Sequence, residues 1–354
     1  MKLTAIGSGY YRVYVDGIEV SKHTSEREAI ESAFARETAD PSKNVTYKHD
    51  YEVKVESLVP PPPSFDLNKP FRNDSWIYKK AGTALDPDSA SIVTEIVLQA
   101  KDATAGGTSI FYPGIAFNKW SVPIFHITNS VVLKKTVIYS TSNGNKAIDI
   151  RVPDNFVVAG GTDAHAAIYD HVEGVFADFW QLDPVALKAV HGGMIQNFPQ
   201  SDGTFPFPMG ARACGIAATV GVVTLDSIEK GVHEGVVAIA TPRTNKTPKW
   251  PANRVDGYAQ DNTLIRMGHI YRLPPAFIPD PTWPLILRLI TVAYRDYGGI
   301  VIDTTNAQNI NMAYIEDPRP RGKTTAEIKS LYWGGKADWQ LGQMFPWNQL
   351  QVLA

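Results

Sequence analysis

Residues 161–182 read GTDAHAAIYDHVEGVFADFWQL, and the fold turns on how this stretch is paired. Apolar and polar residues alternate on both sides of Glu173-Gly174, and glycine accepts the positive φ of a tight turn, so the pattern predicts a β-hairpin with a two-residue loop. In that register Val172 faces Val175 and Tyr169 lies opposite Asp178. Period-two alternation puts Asp163, His165, Ala167, Tyr169 and His171 on one face with Phe176, Asp178 and Trp180. The other face, Ala164, Ala166, Ile168, Ala177 and Phe179, reads as core.

The first face combines carboxylates, imidazoles, a phenol and an indole. A plain solvent face would leave Trp180 as an unshielded apolar plate, and sugar rings stack on such plates. The competing reading is a turn aspartate, a surface histidine and a tryptophan covered by a loop, because clustered ionisable groups also occur at structural positions. Along the predicted strands Asp163 and Asp178 are about six positions apart, roughly 20 Å at ~3.3 Å per residue. Glycosidase carboxyls are ~5 to 9.5 Å apart. The two aspartates are therefore not one acid/base pair in an unbulged hairpin, and a bulge or another strand has to bring the second group.

The chain around this hairpin has 354 residues, enough for a large core and, on size alone, two domains. Its net charge of -2, with signs interspersed, argues against a nucleic-acid partner. The single cysteine, Cys214, excludes an intrachain disulfide and a cysteine zinc cage, and reads as a small buried hydrophobe. The N-terminus has no signal-like apolar stretch, and no apolar run approaches the ~20 residues of a membrane span.

Residues 1–57 read as a small ββαβ module with an adaptor or binding role. Asp16-Gly17 closes a hairpin, Ser25 and Glu28 have capping-box spacing before a helix, and Tyr47 to Val55 forms a strand. The tetraproline Pro60 to Pro63 makes residues 58–64 an extended polyproline linker. Residues 65–354 form the functional domain. Strands are predicted at Trp120–Ile127, Val131–Tyr139, Ala147–Val152, His165–His171, Val175–Leu182, Val220–Leu225, Val236–Ala240, His269–Leu273 and Ile300–Asp303. Helices are predicted at Asp86–Lys101 and Trp283–Tyr297. Many short strands with a few peripheral helices imply a mainly β protein, a jelly roll or two-sheet sandwich.

The common hydrolase, kinase, dinucleotide and metalloprotease signatures are absent. Asp163 and His165, at i and i+2, share a strand face, which suits a carboxylate orienting an imidazole or two ligands of one metal. Further candidates are His233 before a strand, Trp250 in a proline-rich loop that also carries Arg254 and Asp256, Arg272 on a strand, Tyr297 at a helix end and Asp303 at a strand end. Each also has an ordinary structural reading as a strand-entrance, loop-pinning, ion-pairing or turn residue.

The order of these parts, from roughly Phe65 to Pro320, resembles a widespread and largely uncharacterised group of bacterial, often secreted, proteins. The matching segments are Asp86-Pro87-Asp88-Ser89-Ala90, Asp163 with His165, Asp178 to Gln181, His233, Trp250-Pro251-Ala252, Met267-Gly268 with Arg272-Leu273, and Tyr297-Gly298 with Asp303. Glu234 departs from the group, which has a small residue there. The N-terminal module is similar to modules on phage and environmental-virus proteins, which implies an extracellular or virion-associated protein with an assembly partner at residues 1–57. The resemblance carries no established activity.

The residues favour a carbohydrate-active enzyme. Asp163, Asp178 and Asp303 are the candidate carboxyls, with His165 and His233 as catalytic partners. Tyr169, Trp180, Trp250, Arg272 and Tyr297 are the substrate contacts. A polysaccharide lyase would use Arg272 to neutralise a uronate, with His165 or His233 and Tyr169 or Tyr297 as bases. A virion or cell-surface glycan-binding protein would use the same face without catalysis. No cofactor is expected beyond the alternative of a divalent cation held by Asp163, His165 and His233.

Overall fold

The protein is described here from a computed structural model, covering residues 2–6, 11–15, 18–23, 45–49, 52–56, 66–101, 113–256, 262–305 and 310–354. The chain divides into two units, Met1–Phe65 and Asp66–Ala354. In the first, β1 (Lys2–Ile6) pairs antiparallel with β5 (Glu52–Glu56), while β2 (Tyr11–Val15) lies between β3 (Ile18–His23) and β4 (Val45–His49). The single strand expected over Tyr47 to Val55 is thus two strands in different sheets. The turn Asp16-Gly17, the helix after Ser25 and the tetraproline lie outside the described residues.

The second unit is mainly β, with two mixed sheets and few helices, as the short-strand pattern implies. The first sheet contains β7 (Ile124–Ile127), β8 (Lys134–Thr141), β9 (Gly144–Arg151), β10 (Ala166–Asp170), β11 (Val175–Asp183) and β12 (Lys188–Gln196), in the order β7-β10-β11-β12-β8-β9. Its β7/β10 and β12/β8 pairs are parallel. The second sheet contains β6 (Gly114–Phe117), β13 (Val222–Val223), β14 (Val237–Thr241), β15 (Ile270–Arg272), β16 (Gly299–Thr304), β17 (Asn311–Ile315) and β18 (Gln351–Val352). Here β14 runs parallel to β16, and β6 runs parallel to β17. The predicted helices are present as α1 (Ser89–Lys101) and α3 (Leu285–Asp296). Three more were not foreseen: α2 (Leu225–Lys230), α4 (Thr325–Tyr332) and α5 (Asp338–Met344). Among the described residues no helix is long and apolar enough to cross a membrane.

The hairpin of residues 161–182 exists, with a correction to its turn. Asp170 pairs with Val175 and Tyr169 with Phe176, so the loop is the four residues His171 to Gly174. Asp170 Oδ1 accepts from the N–H groups of Val172 and Glu173, and this cap outcompetes a two-residue turn. A slip of this parity keeps every side chain on its expected face. Both faces, however, are buried. Ala166, Ile168, Ala177 and Phe179 join Phe125, Val137 and Ile150, and residues of all six strands meet in that cluster. Ala167, Tyr169 and Phe176 join the larger core with Val222, Val237 and Ile239 of the second sheet. The mixed polar face is therefore an inter-sheet layer: its Asp163 and Trp180 end reaches a large cavity, and Tyr169 lines a small one.

Candidate active site

That end is built where the two sheets meet. Asp163 precedes β10, with its carbonyl accepting from Gln181 N–H. Asp303 stands near the end of β16, immediately after a bulge in the β14/β16 pairing that adds one residue to β16. Bulges re-aim side chains, and open sheets with parallel strands place ligands beyond the strand carboxyl ends. Asp256 follows the Trp250-Pro251 loop, and its carboxylate accepts from the Thr304 hydroxyl. All three carboxylates line one cavity of about 670 Å3, together with Trp180, His191, Phe207, Arg212 and Arg254.

Arg212 governs the electrostatics. Its side chain is 1% exposed, stacks over Tyr314 with its guanidinium carbon 4.3 Å from the ring centre, and places Nη1 3.8 Å from Asp303 Oδ2. Burial lifts the Asp303 carboxyl to about 7; Arg212 opposes the lift, and the neighbouring Asp256 and Asp163 charges add to it. Asp163 is also raised, by burial first, against the pull of Arg212 and hydrogen bonds from Trp180 and Thr162. Their side chains keep 22% and 29% of their accessibility, so both carboxyls still meet solvent at the cavity.

His165 stands directly behind Asp163. Its Nδ1 is 3.2 Å from the Phe179 carbonyl, which can only accept, so Nδ1 carries the proton and Nε2 is left as an acceptor 3.9 Å from Asp163 Oδ2. Burial, reinforced by Arg212, holds the imidazole well below its usual range and neutral. It is wholly enclosed, so it does not touch a ligand in the cavity.

Asp178 is corrected from a groove carboxyl to a buried clamp. It is fully enclosed, and accepts from Ala211 N–H at 2.9 Å and Ala218 N–H at 2.8 Å. Burial nonetheless raises its carboxyl to about 7. In the observed register Asp178 pairs with Ala167, which leaves Asp163 about four residues away along the strands, roughly 13 Å at ~3.3 Å per residue, so they still do not form a pair. Arg254 holds the same loop from the other side, donating to the carbonyls of Pro208, Gly210 and Arg212. A carboxylate taking N–H groups and a guanidinium taking carbonyls together fix the backbone that carries Arg212.

The other expected site residues lie elsewhere. Tyr169 is buried, bonded to Thr219 at 2.5 Å and stacked on His126. His233 is tied to the Val236 carbonyl at 3.1 Å and lines, with Tyr169, a separate cavity of about 40 Å3, room for a water or two. Trp250 is exposed and packs edge-on against Trp76. Arg272 is buried and spent on Gln351 and the Gly82 carbonyl. Tyr297 caps α3 beneath the Lys80 ammonium, 4.1 Å from its ring centre. His233 being in a different cavity, the cation set Asp163/His165/His233 is not assembled, and among the described residues no other group of three His, Cys, Asp or Glu side chains is placed to hold a metal. Cys214 is buried as expected, its thiol pushed to about 12.

Arg212, His191 and Phe207 were not foreseen, and Arg254 and Asp256 were seen only as loop residues. The available signal was an arginine inside FPFPMGARACG, residues 205–215, where it is the one charged residue among phenylalanines, a methionine, alanines and a cysteine, a composition that points to a buried loop. Comparison of the chain with protein-family models, curated proteins and solved structures returns no match.

Proposed function

We propose that the cavity hydrolyses a glycosidic bond of a polysaccharide, with Asp303 as general acid and Asp163 as its ionised partner. The observation that supports this most is the convergence of two carboxyls from different sheets on one open cavity, both answering to Arg212 and flanked by the Trp180 indole. Glycoside hydrolysis needs one carboxyl that keeps its proton near neutrality and a second that is ionised. Asp303, lifted to about 7, fits the first role. Asp163 is raised by burial as well, but the Arg212 charge and the bonds from Trp180 and Thr162 all favour its ionised form, and this suits it to the second role. In the step, Asp303 delivers its proton to the glycosidic oxygen as the bond to the anomeric carbon breaks. Asp163 assists the anomeric carbon either as base toward water or as nucleophile, and water supplies the new hydroxyl.

Trp180 stacks on His191, with ring centres 5.9 Å apart, which fixes the indole as a platform. Phe207, 67% exposed, supplies a second apolar wall. The lyase alternative is less well supported, because His233 and Tyr169 share only a cavity the size of a water or two, while Arg272 and Tyr297 line neither cavity.

The test is incubation of wild type, Asp163→Ala and Asp303→Asn with neutral and uronic-acid polysaccharides, following reducing ends and ultraviolet absorbance. New reducing ends without absorbance, lost in both variants, are expected. Ends with absorbance would mean a lyase, and binding without any cleavage would mean a glycan-binding protein.

A further inference from the structure

Trp120 follows β6 with a left-handed backbone, φ 58°, a region that bulky residues occupy only when their surroundings over-determine it. Its N–H donates to the Gly160 carbonyl at 2.9 Å, and Gly160 N–H donates back to the Asn118 carbonyl at 2.9 Å. Its indole lies directly on Gly161. A Cβ added there would stand 2.7 Å from Trp120 Nε1 and 3.0 Å from Cδ1, and Gly161 itself has φ +86°. Gly161 is two residues before Asp163, a backbone span of at most about 7 Å. The chain therefore holds this ring beside the loop that carries Asp163.

Core packing does not account for the arrangement. Trp120 is 45% exposed, and among the described residues no aromatic ring stacks on it and its Nε1–H has no hydrogen-bond partner. The edge of the ring around Nε1 is the part set against Gly161, and nearly half of the residue remains open to solvent. A flat, half-exposed apolar surface is what the apolar face of a pyranose ring can stack on.

We infer that Trp120 is a further sugar-stacking subsite at the Asp163 end of the cavity, taking the next ring of a polysaccharide chain bound across Trp180. The inference rests on the carbohydrate reading of that cavity, though not on cleavage. It makes the ligand a polymer or long oligosaccharide and places Trp120 among the residues that set the preferred chain length.

The test is titration of wild type, Trp120→Ala and Trp120→Phe with the polysaccharides of the panel and with short oligosaccharides made from them, following affinity and, where cleavage occurs, product length. Trp120→Ala is expected to bind the polymer about tenfold more weakly, ~1.4 kcal/mol, and to bind the shortest oligosaccharides as wild type does. Trp120→Phe, which keeps a ring on Gly161, is expected to retain most of the affinity and guards against a folding artefact. Equal polymer affinity in Trp120→Ala and wild type overturns the subsite even where wild type cleaves. A wild type that binds without cleaving, with affinity lost in Trp120→Ala, overturns hydrolysis and keeps the subsite. A wild type that binds no polysaccharide of the panel overturns both.

Discussion

Arg212 Nη1 lies 3.8 Å from Asp303 Oδ2, too far for a good hydrogen bond and near enough for its charge to act. The same guanidinium lowers the proton affinity of Asp163. One buried cation therefore sets both carboxyls. Arg212→Met is expected to raise the proton affinity of each, moving both limbs of a pH–rate profile to higher pH. Arg212→Lys, which keeps the charge, is expected to restore much of the original profile. Rates measured from pH 4 to 9 on the three proteins make the comparison, and limbs that stay in place would detach Arg212 from the carboxyls.

Asp303 also ties stability to pH. Its folded carboxyl is raised from 3.8 to about 7, so between those values the native state binds more proton than the unfolded chain. Its contribution is fully present below about pH 4 and is lost as pH rises through about 7. The shift corresponds to at most about 4 kcal/mol. Asp303→Asn is expected to flatten the fall in melting temperature between pH 4 and 8 while abolishing cleavage. A variant that keeps the wild-type slope would assign the pH dependence to other groups, with Asp178 the first to examine, since burial also raises it to about 7.

Asp178→Ala separates a clamp from a catalyst. Removing the carboxylate leaves the N–H groups of Ala211 and Ala218 without their acceptor inside the core, at about 1–3 kcal/mol each. The variant is expected to lose roughly 2–5 kcal/mol in denaturant unfolding, together with activity, because the loop carrying Arg212 loosens. Full stability with lost activity would restore the catalytic reading that its burial argues against.

The hairpin at 161–182 and its two faces were legible because side-chain alternation survives a register slip of this parity. The turn was misread because Glu173-Gly174 is a strong local signal, whereas the winning cap is a side-chain bond from Asp170. Asp163, Trp180 and Asp303 were found from residue type. Arg212 was not, because its role comes from a buried loop pinned by Asp178 and Arg254, contacts more than 30 residues apart in sequence. Strand β12 was missed because Gly192-Gly193 reads as a turn; both glycines are instead places where neighbouring chain crosses close. Helix α4 was missed despite a capping box in Thr324 and Glu327, a signal the sequence did carry.

Gly193 shows how that close crossing supports the site. A Cβ there would stand 2.5 Å from Gly210 N and 2.6 Å from the Phe205 ring, both on the segment that leads into Arg212. Gly210 N–H also donates to the Gly192 carbonyl at 3.0 Å, so this segment is docked onto β12 through its backbone. Backbone cannot give way as a flexible side chain does, and Gly193→Ala must push the segment outward. The expected cost is about 1–3 kcal/mol, as for other overpacked positions, seen as a lower denaturation midpoint. Because the displaced segment carries Ala211 and Arg212, cleavage is expected to fall as well, with the pH–rate limbs moving in the direction expected for Arg212→Met. A variant that loses stability while keeping both limbs in place would show that the loop can move without altering the charge that Arg212 delivers to Asp163 and Asp303.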